Sequence, residues 1–82
     1  MSDVKLEYDE RADAIYVPMA TAEWHHQVNL DDRRILDYNE NGLLIGIELL
    51  GVSNGIDVEG LPETTLLAKA LTELGIAILQ PA

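Results

Sequence analysis

The sequence predicts an α+β fold: an antiparallel β-meander of four to five strands, one C-terminal helix packed on it, and a short terminal strand-like tail. Short strand-like segments separated by polar turns fill residues 4–50, and polar and apolar residues alternate in several of them with the period of half-buried strands. Leucines then repeat at helical spacing within residues 61–75. Because the strand-like segments precede the helix instead of alternating with it, the order favours α+β over βαβ units.

A chain of 82 residues has room for one hydrophobic core, so we expect a single domain over residues 1–82. Such a core is thin, and the absence of cysteine removes disulfides and cysteine-rich zinc sites as supports. Self-association is the remaining common means of support. We therefore expect a homo-oligomer, most simply a two-fold dimer.

The first two predicted strands form a hairpin. Residues 5–9 alternate in polarity, and residues 14–17 form a β-rich run that stops at Pro18, which has no amide donor. Asp9 and Asp13 flank the intervening polar turn, where aspartate commonly accepts hydrogen bonds from its own backbone. We expect both aspartates to have this local structural role.

The third predicted strand covers residues 24–30. Period-two alternation places four of its side chains on one face: Trp24, His26, Val28 and Leu30. The neighbouring His25 and His26 are then expected on opposite faces, where they cannot chelate one metal ion together. Trp24 is expected to anchor the core or an interface.

Residues 34–38 and 43–50 are predicted as the fourth and fifth strands. The Asn-Gly pair at residues 41–42 favours a tight hairpin between them. The fifth strand is apolar on both faces, which predicts that both are partly covered. Glu48 is the one acid in it, and we expect it to pair with Arg34 or Arg11.

The helix is predicted over residues 61–75, with Pro62 in its first turn and Gly75 just past its end. The apolar tail at residues 76–79 should complete the edge of its own sheet or pair with a second copy. Five apolar residues are the expected interface positions: Trp24, Leu44, Leu50, Ile76 and Ile78.

The chain is strongly acidic, with fifteen Asp and Glu against five Lys and Arg and a formal charge of −10. Nucleic acid and anionic membranes are therefore not expected as partners, because binding to them requires a cationic surface. A basic protein partner is compatible with this charge. No basic and apolar leader and no apolar run near the ~20 residues of a membrane span is present, so we expect a cytoplasmic protein.

Residues 37–48 match the calcium-loop pattern D-x-[DN]-x-[DN]-G-x5-E. A calcium loop lies between two helices, whereas both flanking segments here are strand-like. In an extended fifth strand, Glu48 would lie roughly 20 Å from Gly42, out of reach of a metal at the turn. We therefore expect a hairpin, with no metal and no cofactor.

Four carboxylates are the candidate functional or structural polar residues: Asp9, Asp13, Asp37 and Glu48. The sequence has no glycine-rich phosphate loop, no GxSxG elbow and no thiol nucleophile. No catalytic residue is predicted on this basis, and an enzyme is the less favoured class.

Two motifs resemble a known family. The YDxxxDAIY pattern begins at Tyr8, and the stretch ILDYNENGLLIGIELL begins at Ile35. Together they resemble the small prokaryotic family called domain of unknown function 2283, over residues 4 to about 50. Asn39 and Asn41 stand where acidic residues are common in that family.

The resemblance implies a compact β-rich domain and supplies no established activity. By analogy, such domains resemble antitoxin-type partners of small basic proteins. We interpret the chain as a protein–protein interaction module. The alternative is a small acid–base enzyme or metal-binding protein that uses carboxylates on the sheet.

Overall fold

The computed structural model describes residues 4–79 and contains one five-stranded antiparallel sheet and one α-helix in this range. The strands are β1 (Glu7–Asp9), β2 (Ala14–Pro18), β3 (His26–Asn29), β4 (Arg34–Tyr38) and β5 (Leu44–Leu50). A 3₁₀ turn at Val52–Asn54 and the helix α1 (Thr64–Glu73) follow. The predicted α+β class, with a run of strands before one C-terminal helix, is confirmed.

The strand order is β1-β2-β5-β4-β3, so β5 lies at the centre of the sheet. The chain passes from β2 to the far edge, and β3, β4 and β5 then return toward β2 as consecutive antiparallel neighbours. A strictly sequential meander would instead pair β2 with β3. The central position suits β5 because it is the longest and most apolar strand and both of its edges are hydrogen-bonded there.

The hydrophobic core lies between one face of the sheet and the segments that follow β5. The sheet contributes alternate residues of its central strands, including Ile15, Val17, Ile47 and Leu49. Behind them lie the buried residues of the connection, the helix and the tail: Val52, Ile56, Leu61, Leu67, Leu71 and Ile76. The predicted leucine stripe of the helix is therefore inward-facing at two of its positions, whereas Leu74, at the helix end, is 43% exposed.

The helix is shorter than predicted at its N-terminus and ends as predicted. Glu63 has a left-handed φ of 50°, which separates Pro62 from the helix that begins at Thr64. At the other end Gly75 has φ +84° and donates to the Thr72 carbonyl at 2.9 Å. Ile76 then donates to the carbonyl of Leu71 at 3.0 Å, completing a Schellman motif.

The apolar tail pairs within its own chain. Ile78 forms a parallel bridge with Ile56, whose N–H donates to the Ala77 carbonyl at 2.9 Å. Leu79 in turn donates to the carbonyl of Ile56 at 2.8 Å. The tail thus joins the connection between β5 and α1, and it does not extend the edge of the five-stranded sheet.

Two arginines, one just before β4 and one at its first position, bind the connection between β5 and α1. Arg33 Nη2 donates to the carbonyl oxygens of Gly51 and Gly55, both at 2.6 Å. Arg34 Nη1 donates to the carbonyl oxygen of Glu59 at 2.6 Å. Because these carbonyls belong to a loop without a regular ladder, the guanidinium groups satisfy acceptors that helix or strand bonds would otherwise satisfy.

Asp9 and Asp13 have different structural roles. Asp9 Oδ1 accepts the N–H groups of Arg11 and Ala12, both at 3.1 Å, as predicted for a turn aspartate. Asp13, with φ 54°, accepts instead from the backbone N–H and the hydroxyl of Ser53, at 2.9 and 2.7 Å. The expectation of a local turn bond at Asp13 is wrong, because its carboxylate binds the segment after β5.

In the part of the chain that the structure describes, no helix combines the length and the apolar character needed to cross a bilayer.

We expect Arg33→Met to lower the free energy of unfolding by roughly 1–3 kcal/mol, because carbonyls of the connection lose charged donors. Urea denaturation followed by circular dichroism measures this change. Arg11→Met, the same substitution in the exposed β1–β2 turn, is the control and should shift stability by less than about 0.5 kcal/mol. Equal losses in both variants would contradict this role of Arg33.

Candidate functional site

The sheet face opposite α1 is named here the open face. Its residues alternate with the core residues along each strand, and cross-strand pairing brings together Tyr16 with Glu48 and Asp37 with Gly46. The members of the open face are Glu7, Asp9, Ala14, Tyr16, Pro18, Gln27, Asn29, Ile35, Asp37, Gly46, Glu48 and Leu50. This face therefore contains three of the four candidate carboxylates, namely Asp9, Asp37 and Glu48.

Asp37 and Glu48 form a carboxyl pair on the open face. Asp37 is 4% exposed, and Glu48 is half-buried on the neighbouring strand. A side-chain hydrogen bond with Asp37, together with partial burial and the charge of Asp37, raises the pKa of Glu48. The main physical cause is that protonated Glu48 can donate a hydrogen bond to Asp37, and burial and the negative charge of Asp37 further disfavour the ionised form of Glu48.

Glu48 therefore has a partner different from the one predicted. Arg34 lies opposite Leu49, whose side chain points to the core face, and its guanidinium binds Asp31 at 2.9 Å. Arg11 lies in the exposed β1–β2 turn. The prediction that Glu48 pairs with an arginine is wrong, because the strand register places Arg34 on the core side of the sheet and Glu48 on the open face.

Trp24 contacts the carboxyl pair from the segment before β3. Its indole Nε1–H donates to Asp37 Oδ1 at 3.1 Å, while its side chain is 57% exposed. An aromatic ring that is exposed yet tethered by its polar atom is unusual on a small protein surface, because most large apolar side chains are buried.

The side-chain alternation breaks just before β3, which explains the position of Trp24. The His25 N–H donates to the Tyr38 carbonyl at 2.8 Å, although His26 is the register partner of Tyr38. His25 and His26 thus both lie opposite Tyr38, as in a β-bulge. The extra residue moves the side chains that precede it to the opposite face of the sheet. The prediction that Trp24 shares a face with Val28 is wrong.

Tyr16 lies across Gly46 on the open face. A Cβ atom at position 46 would overlap the Tyr16 ring and hydroxyl, so only glycine leaves room for this ring. Burial, and then the nearby carboxyls of Asp37, Glu48 and Glu7, raises the pKa of Tyr16. The ring is therefore neutral at physiological pH and lies in a negative electrostatic environment.

The two histidines lie side by side, contrary to the prediction from alternation. Their Nδ1 atoms are 3.1 Å apart and the rings meet edge to face, because His25 lies in the bulge and not in β3. His26 also stacks on Tyr38, with ring centroids 5.3 Å apart. Over residues 4–79, no group of three or more His, Cys, Asp or Glu side chains is arranged to hold a metal ion.

The β4–β5 hairpin is present, but its turn differs in type from the predicted Asn-Gly turn. Gly42 alone in this turn has positive φ, at 84°, and its N–H donates to the Asn39 carbonyl at 3.1 Å. The Asn39 side chain accepts the N–H groups of Asn41 and Leu43 at 3.0 and 2.8 Å. This geometry is a type I turn followed by a left-handed glycine.

The five expected interface residues occupy different environments. A register shift after Asp37 places Leu44 opposite Tyr38, where it packs against the core, as does the half-buried Ile78. Ile76 is 6% exposed and belongs to the core, so its side chain is not available to a partner. Leu50 is half-buried on the open face, and Trp24 is the most exposed of the five.

Tyr16 and Gly46 complete the site, and neither was among the candidate residues predicted from the sequence. Both lie within the two motifs, but their contact depends on β2 pairing with β5, a pairing between strands that are distant in sequence. The sequence did contain one indication of this contact, since Gly46 interrupts an otherwise apolar strand and such a glycine often marks the close approach of another side chain or backbone.

The fold and the open face define a small α+β domain with an acidic, aromatic-lined sheet face. The family described as "Protein of unknown function (DUF2283)" matches residues 5–53, more than half of the chain, and the chain belongs to this family. The matched segment contains all five strands and the carboxyl pair. Comparison with curated proteins and with solved structures gave no significant match.

We expect Glu48→Gln to remove a pH dependence of stability. Because the folded-state pKa of Glu48 is raised, the native protein binds more protons than the unfolded chain over the interval from the unfolded to the folded pKa. The contribution of Glu48 to stability should therefore fall as pH rises through that interval, which begins near pH 4.5. The gain in stability from Glu48→Gln should consequently be larger at pH 7 than at pH 4.

Urea denaturation at several pH values measures this difference. Glu40→Gln, at an exposed position of the β4–β5 turn, is the matched control. A difference between Glu48→Gln and wild type that is the same at every pH would contradict the carboxyl pair.

Proposed function

We propose that the protein is a protein–protein interaction module whose open face binds a basic surface of a partner protein. The observation that supports this most is the half-buried Asp37–Glu48 pair beside the exposed ring of Trp24. An approaching cation would relieve the repulsion within this pair, since it stabilises both carboxylates in the ionised form.

The overall charge supports a basic partner. The formal charge is −10, and Arg33 and Arg34, two of the five cationic side chains, donate to backbone carbonyls of the connection. The negative field then accelerates encounter with a basic protein and disfavours acidic partners. Binding of this kind weakens with salt because screening shortens the range of the field.

The aromatic side chains support a contact with arginine or lysine. Trp24 presents a ring whose orientation is already restrained by its bond to Asp37, so less side-chain entropy is lost on binding. A guanidinium or ammonium group next to carboxylates and over an indole gains both ion pairing and a cation–π interaction. Aromatic residues are also the typical anchors of protein interfaces.

A second candidate is a small acid–base enzyme that uses the same carboxyl pair. Its supporting observation is the raised pKa of Glu48, since perturbed carboxyls are common at catalytic sites. A depression of about 390 Å³ lies beside Glu48 and is lined also by Tyr8, Asp9, Tyr16 and Leu50. The lining contains no Ser, Thr, Cys, His or Lys side chain and no cationic group, and solvent reaches it, so the interaction module accounts for more of this face.

By analogy with antitoxins, the expected partner is a small basic protein. Immobilised protein should retain it from a lysate of the native host at about 50 mM NaCl and release it at about 500 mM. Once the partner is purified, isothermal titration calorimetry of the pair gives the affinity. An acidic partner, or a complex that is insensitive to salt, would contradict the proposal.

We expect Trp24→Ala to weaken this complex roughly tenfold or more, because exposed aromatic anchors dominate many interfaces. Leu74→Ala is the matched control, since Leu74 is also a large exposed apolar side chain but lies at the end of α1. A second pair of variants removes one negative charge each: Asp37→Asn on the open face and Glu40→Gln away from it. Asp37→Asn should weaken the complex more than Glu40→Gln does. Equal effects within each pair would place the binding surface elsewhere.

A further inference from the structure

The edge strand β3 is exposed along its whole length, as is β1 at the opposite edge of the sheet. All four of its residues, from His26 to Asn29, are exposed, so neither face of this strand is covered by the helix or the connection. Val28 is 44% exposed, and Leu30, just beyond the strand, is 41% exposed. An edge strand of this kind presents unpaired backbone groups to any strand that approaches it.

The hydrogen-bond pattern identifies which backbone groups are free. Leu30 donates to the carbonyl of Arg34 at 2.9 Å, so residues at alternate positions of β3 bond to β4. The backbone N–H and C=O groups of His26 and Val28 therefore point toward β4, where these residues pair with Tyr38 and Leu36. The N–H and C=O groups of the intervening residues, Gln27 and Asn29, point away from the sheet.

The two edges of the sheet differ in charge. The opposite edge strand, β1, has the sequence Glu-Tyr-Asp, and two of its three side chains are anionic. Strand β3 has the sequence His-Gln-Val-Asn, with no carboxylate, lysine, arginine or proline. Charges and prolines are the usual features that prevent edge-to-edge pairing, and β3 has none of them.

We infer that β3 pairs antiparallel with β3 of a second copy, forming a two-fold dimer with a continuous ten-stranded sheet. In each copy the N–H and C=O groups of Gln27 and Asn29 are free. All four groups form hydrogen bonds in one register, in which Gln27 lies opposite Asn29 of the second copy. Val28 then lies opposite Val28 of the second copy at the two-fold axis. An axis perpendicular to the sheet relates the copies, so both open faces lie on the same side of the dimer.

The side chains are self-complementary in this register. Gln27 and Asn29 already approach each other within the chain, at 3.5 Å from Nε2 to Oδ1, and their amides can bond equally well across the axis. On the other side of the sheet, His26 meets Leu30 of the second copy and the two Val28 side chains touch. The new interface therefore has valine, leucine and histidine side chains on one side and paired amides on the other, and residues 26–30 bring no carboxylate, lysine or arginine to it.

The dimer is expected to respond to salt in the opposite way from the proposed complex with a basic protein. Each copy has a formal charge of −10, so the two copies repel, and higher ionic strength reduces that repulsion. Analytical ultracentrifugation should show a dimer of twice 9.0 kDa whose dissociation constant decreases as NaCl is raised. A 9.0 kDa monomer at every concentration up to millimolar would overturn the inference.

Charge exchange at the axis tests the register. Val28→Asp and Val28→Lys should each weaken the homodimer roughly tenfold or more, because like charges then face each other across the axis. Mixing the two variants should restore a heterodimer. Leu74→Asp and Leu74→Lys, with the same charge changes at an exposed position of the helix end, should leave the dimer unchanged.

Amide hydrogen exchange provides a test that needs no substitution. The amides of Gln27 and Asn29 should become protected as protein concentration rises, whereas those of His26 and Val28 should be protected at all concentrations. A dimer that persists in Val28→Asp, or one in which Gln27 and Asn29 stay unprotected, would assign the interface to another surface.

Discussion

One helix of ten residues covers only one face of a five-stranded sheet, and the other features of this protein depend on that limit. The helix is about 15 Å long, whereas five strands span about 19 Å between their outer axes. The connection and the tail extend the cover on the same side as the helix. The open face and the edge at β3 consequently remain in contact with solvent, and their residues must be suited to water or to a partner.

The open face combines features that would cost stability without a function. Asp37 and Glu48 are two neighbouring carboxyls in partly buried positions, and the hydrogen bond between them, burial and the charge of Asp37 together raise the pKa of Glu48. Trp24 leaves most of its ring in solvent. Unfavourable local arrangements of this kind are typical of functional surfaces, where stability is lower than the fold could achieve. A cationic partner would relieve the repulsion and cover the ring at once.

The sequence predicted local structure well and long-range pairing poorly. Period-two alternation and Gly75 predicted the strands and the helix end, because these depend on neighbouring residues and on the φ of one glycine. The position of β5 between β2 and β4 depends on pairing across distant segments, and the contact of Tyr16 with Gly46 follows from it. A single bulge residue, His25, reversed the predicted face of Trp24, and no propensity of the sequence indicates such a bulge.

The central claim is that the open face binds cationic groups of a partner protein. Nuclear magnetic resonance of ¹⁵N-labelled protein titrated with an arginine-rich peptide at low salt tests it most directly. We expect the resonances of the Trp24 indole N–H and of the Gly46 and Glu48 amides to shift together, with the amides of Thr64–Glu73 unchanged. Shifts confined to α1, or spread evenly over the acidic surface with no effect at Trp24, would contradict it.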